Sequence, residues 1–94
     1  MKIETVNQGD ILEEAIKTYG VESQVNMAIE ECAELINALE KYRRGRIGGL
    51  AVITEIADVQ IMCAQLEIIF GSAEIERDFK IRRLYDRMKK GKND

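Results

Sequence analysis

The sequence predicts an all-α fold, and three observations carry that prediction. The 94 residues include seven glycines and no proline, which is typical of long helices separated by glycine turns. Apolar residues recur every three or four positions, as on one face of a helix. Valine and isoleucine do not alternate with polar residues, as a half-buried strand would require. Because a chain of this length forms one domain, residues 1–94 are assigned to a single helical domain.

The first two predicted helices are separated by a glycine. Helix 1 spans about 10–19, with Asp10 as its N-cap and Gly20 at its end. Helix 2 spans about 22–44 and ends before a glycine-rich turn. Its periodicity predicts a core stripe of seven residues: Val25, Ala28, Ile29, Cys32, Leu35, Ile36 and Leu39.

The third predicted helix, at about 50–70, is apolar around its whole circumference. Fifteen of its 21 residues are apolar, so it should be buried on most sides. A 94-residue chain cannot cover such a helix alone, and we therefore expect a four-helix bundle completed by homo-oligomerisation, as a homodimer or homotetramer. A membrane span is not expected, because each acid near its centre would cost about 2.5 kcal/mol or more.

The fourth predicted helix is basic and follows Ser72, which is placed as its N-cap. Residues 77–92 hold eight lysines and arginines against two aspartates, although the whole chain has a net charge of −3. An acidic body argues against nucleic acid as a partner.

The cysteines and the missing histidine restrict the chemistry. Cys32 and Cys63 lie in apolar helical sequence without metal-ligand spacing, which predicts small core residues of a reduced, cytoplasmic protein. The sequence contains no histidine. This absence excludes histidine-ligated zinc sites and Ser-His-Asp triads.

Two acidic pairs are the strongest functional signal. Glu31 and Glu34 are spaced i, i+3, and so are Glu55 and Asp58, so each pair lies on one face of its helix. Two helices joined by a short turn run antiparallel, and residues at the same level then have a constant sum of residue numbers. Glu34 with Glu55 gives 89, and Glu31 with Asp58 gives the same sum, so the pairs can face one groove.

Four carboxylates in one groove match the oxygen ligands that Mg²⁺ prefers, with Mn²⁺ as a substitute ion. The alternative is a solvated acidic face, which is common on helices rich in glutamate. That alternative is weaker for Glu55 and Asp58, since the third helix offers little solvated surface.

This pattern resembles a known enzyme family. Glu31-x-x-Glu34, twenty intervening residues and Glu55-x-x-Asp58 are similar to the ExxE…ExxD signature of MazG-like, all-α nucleoside triphosphate pyrophosphohydrolases. The helix order over about 10–90 is similar as well. The resemblance implies a Mg²⁺-dependent enzyme that cleaves a (d)NTP into the monophosphate and pyrophosphate, in nucleotide-pool control or house-cleaning.

The resemblance also implies roles for particular residues. Glu31, Glu34, Glu55 and Asp58 would be the catalytic residues that hold the metal, and the general base is open among them. Glu30, four residues before Glu34, is an alternative ligand. Lys80, Arg83 and Arg87 share a face of the basic helix and are candidates to bind the substrate phosphates. Gln24, Asn26 and Asn37 are candidates to contact the base.

Two other classes of function stay open at this point. The first is a catalytically silent helical protein that uses the bundle for dimerisation and interaction. The second is a nucleic-acid adaptor that binds through the basic residues 77–92, and the overall acidic charge makes it the weaker of the two.

Overall fold

The structure is a computed structural model that describes residues 7–93. The predicted domain also includes residues 1–6 and 94, which lie outside the described residues. In the described part the chain forms four helices and no strand, which confirms the all-α class. The helices are α1 (Gln8–Tyr19), α2 (Val21–Arg43), α3 (Gly49–Phe70) and α4 (Glu74–Asn93).

Helix α1 begins two residues earlier than predicted, and its cap is a different residue. The Asn7 side chain accepts a hydrogen bond from the Asp10 backbone N–H, at 3.2 Å. Asp10 therefore lies in the first turn of the helix and is not its N-cap. An acid there still interacts favourably with the positive end of the helix dipole. The predicted end at Gly20 is confirmed.

Helices α2 and α3 form an antiparallel hairpin, with bounds within one residue of the predicted ones. After Arg43 the chain turns through Gly45, whose φ of 74° favours glycine. Helix α3 begins at Gly49. A hydrogen bond of 2.7 Å from Gln24 Nε2 to Gln65 Oε1 joins the two helices, and its residue numbers also sum to 89. This agrees with the register predicted for the acidic pairs.

The core stripe predicted for α2 is confirmed in part. Three of its residues, Val25, Ala28 and Leu35, are buried or half-buried. The other four are exposed and lie one residue beyond the stripe that contacts α3: Ile29, Cys32, Ile36 and Leu39. The buried or half-buried stripe that follows the i, i+3, i+4 pattern consists of Gln24, Ala28, Glu31, Leu35 and Ala38. The matching stripe on α3 consists of Val52, Glu55, Val59, Met62 and Leu66. Ile29 and Ile36, predicted to lie in the core, are 63% and 64% exposed. Helix α2 thus has two neighbouring apolar faces, one with Ile29 and Ile36 and one with Ala28 and Ala38. The face with the small alanines is the one that contacts α3.

The cysteines were also placed wrongly. Both Cys32 and Cys63 are exposed free thiols within the single chain. Each lies one residue beyond a member of the contact stripe, Glu31 on α2 and Met62 on α3. One residue is a rotation of about 100° around the helix, which takes the thiol out of the contact.

Helix α4 stands apart from the other three. Helices α1, α2 and α3 pack against one another, whereas α4 packs against none of them within residues 7–93. The radius of gyration is 17.1 Å, against about 12 Å for a compact domain of this length. One chain therefore holds a three-helix body and a projecting helix, and the four-helix bundle stays a prediction for an assembled protein.

Helix α3 is not covered on most sides in the single chain. Its buried residues are Val52, Met62 and Gln65, while Ile53 and Phe70 are 59% and 75% exposed. As expected from its acids, α3 does not qualify as a membrane helix. No other helix of the described residues is long and apolar enough to cross a bilayer.

Candidate metal centre

Three glutamates of the hairpin meet at the α2–α3 contact. One carboxylate oxygen from each of Glu31, Glu34 and Glu55 lies within 4.8 Å of the other two. Glu31 and Glu55 belong to the contact stripes and are half-buried, whereas Glu34 is exposed at the rim. The carboxylates thus form a cluster that is closed on the hairpin side and open toward solvent at Glu34.

Asp58, the fourth predicted ligand, lies one turn after Glu55 and is half-buried. It is not one of the three residues whose oxygens meet within 4.8 Å. Its negative charge nevertheless raises the pKa of Glu31. The structure therefore brings three of the four predicted acids together and places Asp58 near enough to act on them electrostatically.

The electrostatics of Glu31 reflect its surroundings. Burial raises the pKa of its carboxyl group, and the charges of Glu34, Asp58 and Glu55 raise it further, in that order of size. No basic side chain offsets these charges. In the part of the chain that the structure describes, the one ion pair joins Arg43 to Glu40 at 2.7 Å, on the exposed surface of α2.

Two oxygens of the cluster have no hydrogen-bond partner. Glu31 Oε2 and Glu55 Oε2 are both shielded from solvent and unpaired. An oxygen that is shielded from solvent and has no donor costs free energy, and more so when it belongs to a charged group. An atom outside the chain is therefore the natural partner for this pair.

The donor set fits a hard divalent cation. All of its ligand atoms are carboxylate oxygens, which suit Mg²⁺ or Mn²⁺ better than softer metals. The two unpaired oxygens and the mutual repulsion around Glu31 would both be relieved by a positive ion. The exposed side at Glu34 leaves room for water or a substrate oxygen, which Mg²⁺ sites usually keep.

The predicted phosphate-binding residues are not at the cluster within one chain. Lys80, Arg83 and Arg87 are all exposed on α4, the helix that packs against no other. They do share one side of that helix, as predicted from their spacing of three and four. Any role at the carboxylates would have to come from the α4 of another copy.

An open cleft lies at the start of α2, and none of the three clustered glutamates lines it. It has a volume of ≈ 570 Å³ and runs from Tyr19 past Ser23 and Asn26 to Met27 and Glu30. Glu30, the alternative ligand, is exposed along this cleft and is not among the three clustered acids. Glu30 is thus the one lining residue next to the clustered acids in sequence, one residue before Glu31 and one turn before Glu34.

The structure places the three base-contact candidates in different surroundings. Asn26 lines the cleft, whereas Gln24 is buried and hydrogen-bonded to Gln65, so its side chain is engaged within the hairpin. Asn37 is exposed and is not among the residues that line the cleft. The sequence analysis did not predict the Gln24–Gln65 pair, since it assigned Gln24 to base contact and gave Gln65 no role. A signal was present, since Gln24 lies seven residues before Glu31 and thus on the same helical stripe.

Comparison with known proteins does not add to this picture. No protein-family model matches the chain, and neither a curated protein nor a solved structure is significantly similar to it. Membership of the MazG-like family stays a prediction based on the spacing of the four acids.

Proposed function

We propose that this protein is a Mg²⁺-dependent nucleoside triphosphate pyrophosphohydrolase. It would cleave a (d)NTP between the α- and β-phosphates, releasing the monophosphate and pyrophosphate, in pool control or house-cleaning. The observation that carries the proposal is the cluster of Glu31, Glu34 and Glu55, with its two buried, unpaired oxygens. The same residues form the pattern that resembles the MazG-like enzymes.

The chain's own residues would divide the work between binding and proton transfer. Glu31, Glu34 and Glu55 would hold the ion, and Asp58 would add charge beside them. When bound, Mg²⁺ neutralises phosphate charge and lowers the pKa of a water molecule. A carboxylate of this group that is not engaged by the ion can accept a proton from the attacking water.

The cleft at the start of α2 supplies room for the rest of the substrate. Tyr19 offers an aromatic ring that is 66% exposed, and Asn26 offers an amide that can donate and accept. Glu30 at the edge of this cleft is one turn before Glu34, so a nucleotide with its phosphates at the cluster would extend along α2 to place its base there. Lys80, Arg83 and Arg87 remain candidates for the phosphates, provided that they come from another copy.

We also propose that the working form is a homo-oligomer. Large apolar side chains are exposed on α3 and α4, among them Ile53, Phe70 and Phe79. Self-association would cover them. The same observation favours a second function, that of a silent helical interaction protein, which would keep the assembly and lack the chemistry.

The test is pyrophosphate release from a panel of canonical and modified (d)NTPs, with Mg²⁺, with Mn²⁺ and with a chelator. Release should require the metal, and Glu55→Gln should lower it by about 100-fold or more, because the variant removes a charged ligand. Glu40→Gln is the matched control: the same change on an exposed residue of the same hairpin, outside the cluster. It should retain wild-type activity.

Thermal unfolding with and without Mg²⁺ separates the two functions. The enzyme should be stabilised by the ion, by about 2.7 kcal/mol at a hundred times its Kd. No release from any nucleotide, together with an unchanged melting temperature, would reject the metal site and favour the interaction protein.

A further inference from the structure

Helix α4 carries an apolar stripe that its own chain leaves uncovered. Ile81, Leu84, Tyr85 and Met88 are spaced i, i+3, i+4 and i+7, so they lie on one face of the helix. Their exposed fractions range from 49% to 57%. A helix with such a face gains most of its stability from packing against a partner.

The connection to α3 directs α4 away from its own hairpin. It consists of residues 71–73, and Gly71 has φ 120° and ψ 160°, a conformation adopted almost only by glycine. The Ser72 hydroxyl accepts a hydrogen bond from the Glu74 N–H, at 3.2 Å. Because the Ala73 carbonyl accepts the first helical hydrogen bond, from the Arg77 N–H, Ser72 lies one residue before the N-cap position, whereas it was predicted to lie at it. A covering surface for the α4 stripe must therefore come from elsewhere.

The α2–α3 hairpin has an apolar face of its own that is also uncovered. Every member is exposed and lies one residue after a position of a contact stripe. One residue is a rotation of about 100° around a helix. Because α2 and α3 run antiparallel, this rotation takes both sets of residues from the contact to the same side of the hairpin. We call this side the outer face, and its apolar members are Ile29, Cys32, Ile36 and Leu39 on α2 and Ile53, Ile56 and Cys63 on α3.

Charge distinguishes the two surfaces. Helix α4 carries eight lysines and arginines against four acids, a net charge of +4. Residues 8–70, which contain the hairpin and α1, carry eleven acids against five basic residues, a net charge of −6. Two copies of α4 would repel each other, whereas α4 and a hairpin attract each other.

The exposed area suffices for a stable interface. The accessible surface is 7968 Å², against about 5,500 Å² expected for a compact protein of this mass. The excess of about 2,500 Å² is well above the roughly 800 Å² per partner that a standard interface buries. Covering both α4 and the outer face would remove surface on this scale.

We propose that α4 of one copy packs through its apolar stripe against the outer face of a second copy, in a reciprocal homodimer. Each copy then supplies one α4 and one hairpin, so both apolar surfaces are covered at once. The opposite charges of helix and hairpin fix this pairing in preference to helix on helix. The proposal does not depend on the enzymatic activity.

The test is cross-linking between two differently tagged full-length chains. One keeps a single native thiol of the outer face, through Cys32→Ser or Cys63→Ser. The other lacks both native thiols and carries Leu84→Cys or Met88→Cys on α4. After the purified chains are mixed and allowed to exchange, a short bismaleimide should link one chain to the other. A dimer that gives no link between the two differently tagged chains would overturn the proposal. So would a link that forms only when one and the same chain carries both the outer-face thiol and the α4 cysteine.

Matched variants give a second reading by light scattering on size-exclusion chromatography. Leu84→Gln/Met88→Gln should shift the protein from dimer to monomer, and so should Ile29→Gln/Ile36→Gln on the outer face. Asp86→Gln/Lys90→Gln lies on the opposite side of α4 and should leave the dimer intact. Circular dichroism checks that each variant keeps its helix content. A wild-type monomer at high concentration, or a dimer unaffected by the α4 pair, would contradict the proposal.

Discussion

Glu31 and Glu55 each hold a carboxylate oxygen away from water without a hydrogen-bond donor. Such positions are costly for stability and are found mainly where function requires them. The destabilisation comes from three acids whose oxygens lie within 4.8 Å of one another. They occupy a helix contact that apolar residues would otherwise fill. The strain that the metal-free protein bears is then a source of affinity for a cation.

The stability of the metal-free protein should depend on the charge of Glu31. Because the folded state raises the pKa of this carboxyl group, it holds the proton at pH values where the unfolded chain has released it. Stability should therefore fall as the pH rises from the usual glutamate pKa through the raised one. Glu31→Gln should lack this contribution and be more stable than wild type above that range.

The measurement is thermal unfolding of chelator-treated protein over a pH series. Glu67→Gln, at an exposed glutamate of α3 that forms no ion pair within the described residues, serves as the control and should follow the wild-type curve. Parallel curves for wild type and Glu31→Gln would show that the carboxylate cluster does not form in solution.

At the scale of elements, the α2–α3 hairpin depends on polar groups as much as on apolar ones. The contact between its two helices includes the Gln24–Gln65 hydrogen bond and two of the clustered glutamates. The small residues Ala28 and Ala38 allow the helices to approach closely along the same contact. The hairpin is thus built to hold polar side chains at fixed positions between two helices.

The Gln24–Gln65 hydrogen bond should show strong coupling in a double-mutant cycle. The two side chains are 6% and 4% exposed, so Gln24→Leu leaves Gln65 buried without a partner. This should cost about 1–3 kcal/mol of unfolding free energy. The double variant, with both residues changed to Leu, should cost less than the two single variants together. Chemical denaturation measures the unfolding free energy of each variant. Asn37→Leu is the control, at an exposed position of α2. If the costs of the two single variants simply add in the double variant, the pairing is contradicted.

The turn between α1 and α2 should require glycine for backbone reasons alone. Gly20 has φ 92° and ψ 152°, a region that other residues avoid, and nothing lies within 4 Å of an added Cβ. Gly20→Ala should therefore cost about 1–3 kcal/mol in chemical denaturation. Gly48→Ala is the control, since its φ of −92° suits any residue and its surroundings are equally open. An equal effect of the two substitutions would show that the Gly20 conformation does not matter.

At the scale of the whole molecule, one chain leaves much apolar surface exposed. Helix α4 lies apart from α1–α3, and apolar side chains cover neither it nor the outer face. The carboxylates on the hairpin and the basic residues on α4 are therefore brought together, if at all, by assembly. The proposed homo-oligomer would therefore serve both the stability and the proposed chemistry.

The sequence was sufficient for the helices and for the register of the acidic pairs. Glycines and periodicity determined the helix ends, and the constant residue sum agrees with the Gln24–Gln65 contact. The side of α2 that faces α3 was not predictable, because Ile29 and Ile36 are as apolar as any core residue. They form a core only with a surface that one chain does not supply. The isolation of α4 was missed for the same reason: its apolar spacing indicates a contact but not which chain provides it.

The most direct test of the central claim is phosphorus NMR of a (d)NTP mixture incubated with the protein and Mg²⁺. We predict that a monophosphate and pyrophosphate appear together, that a chelator stops the reaction, and that Glu55→Gln does not support it. Formation of a diphosphate with inorganic phosphate, or no reaction with any nucleotide, would contradict the proposed function.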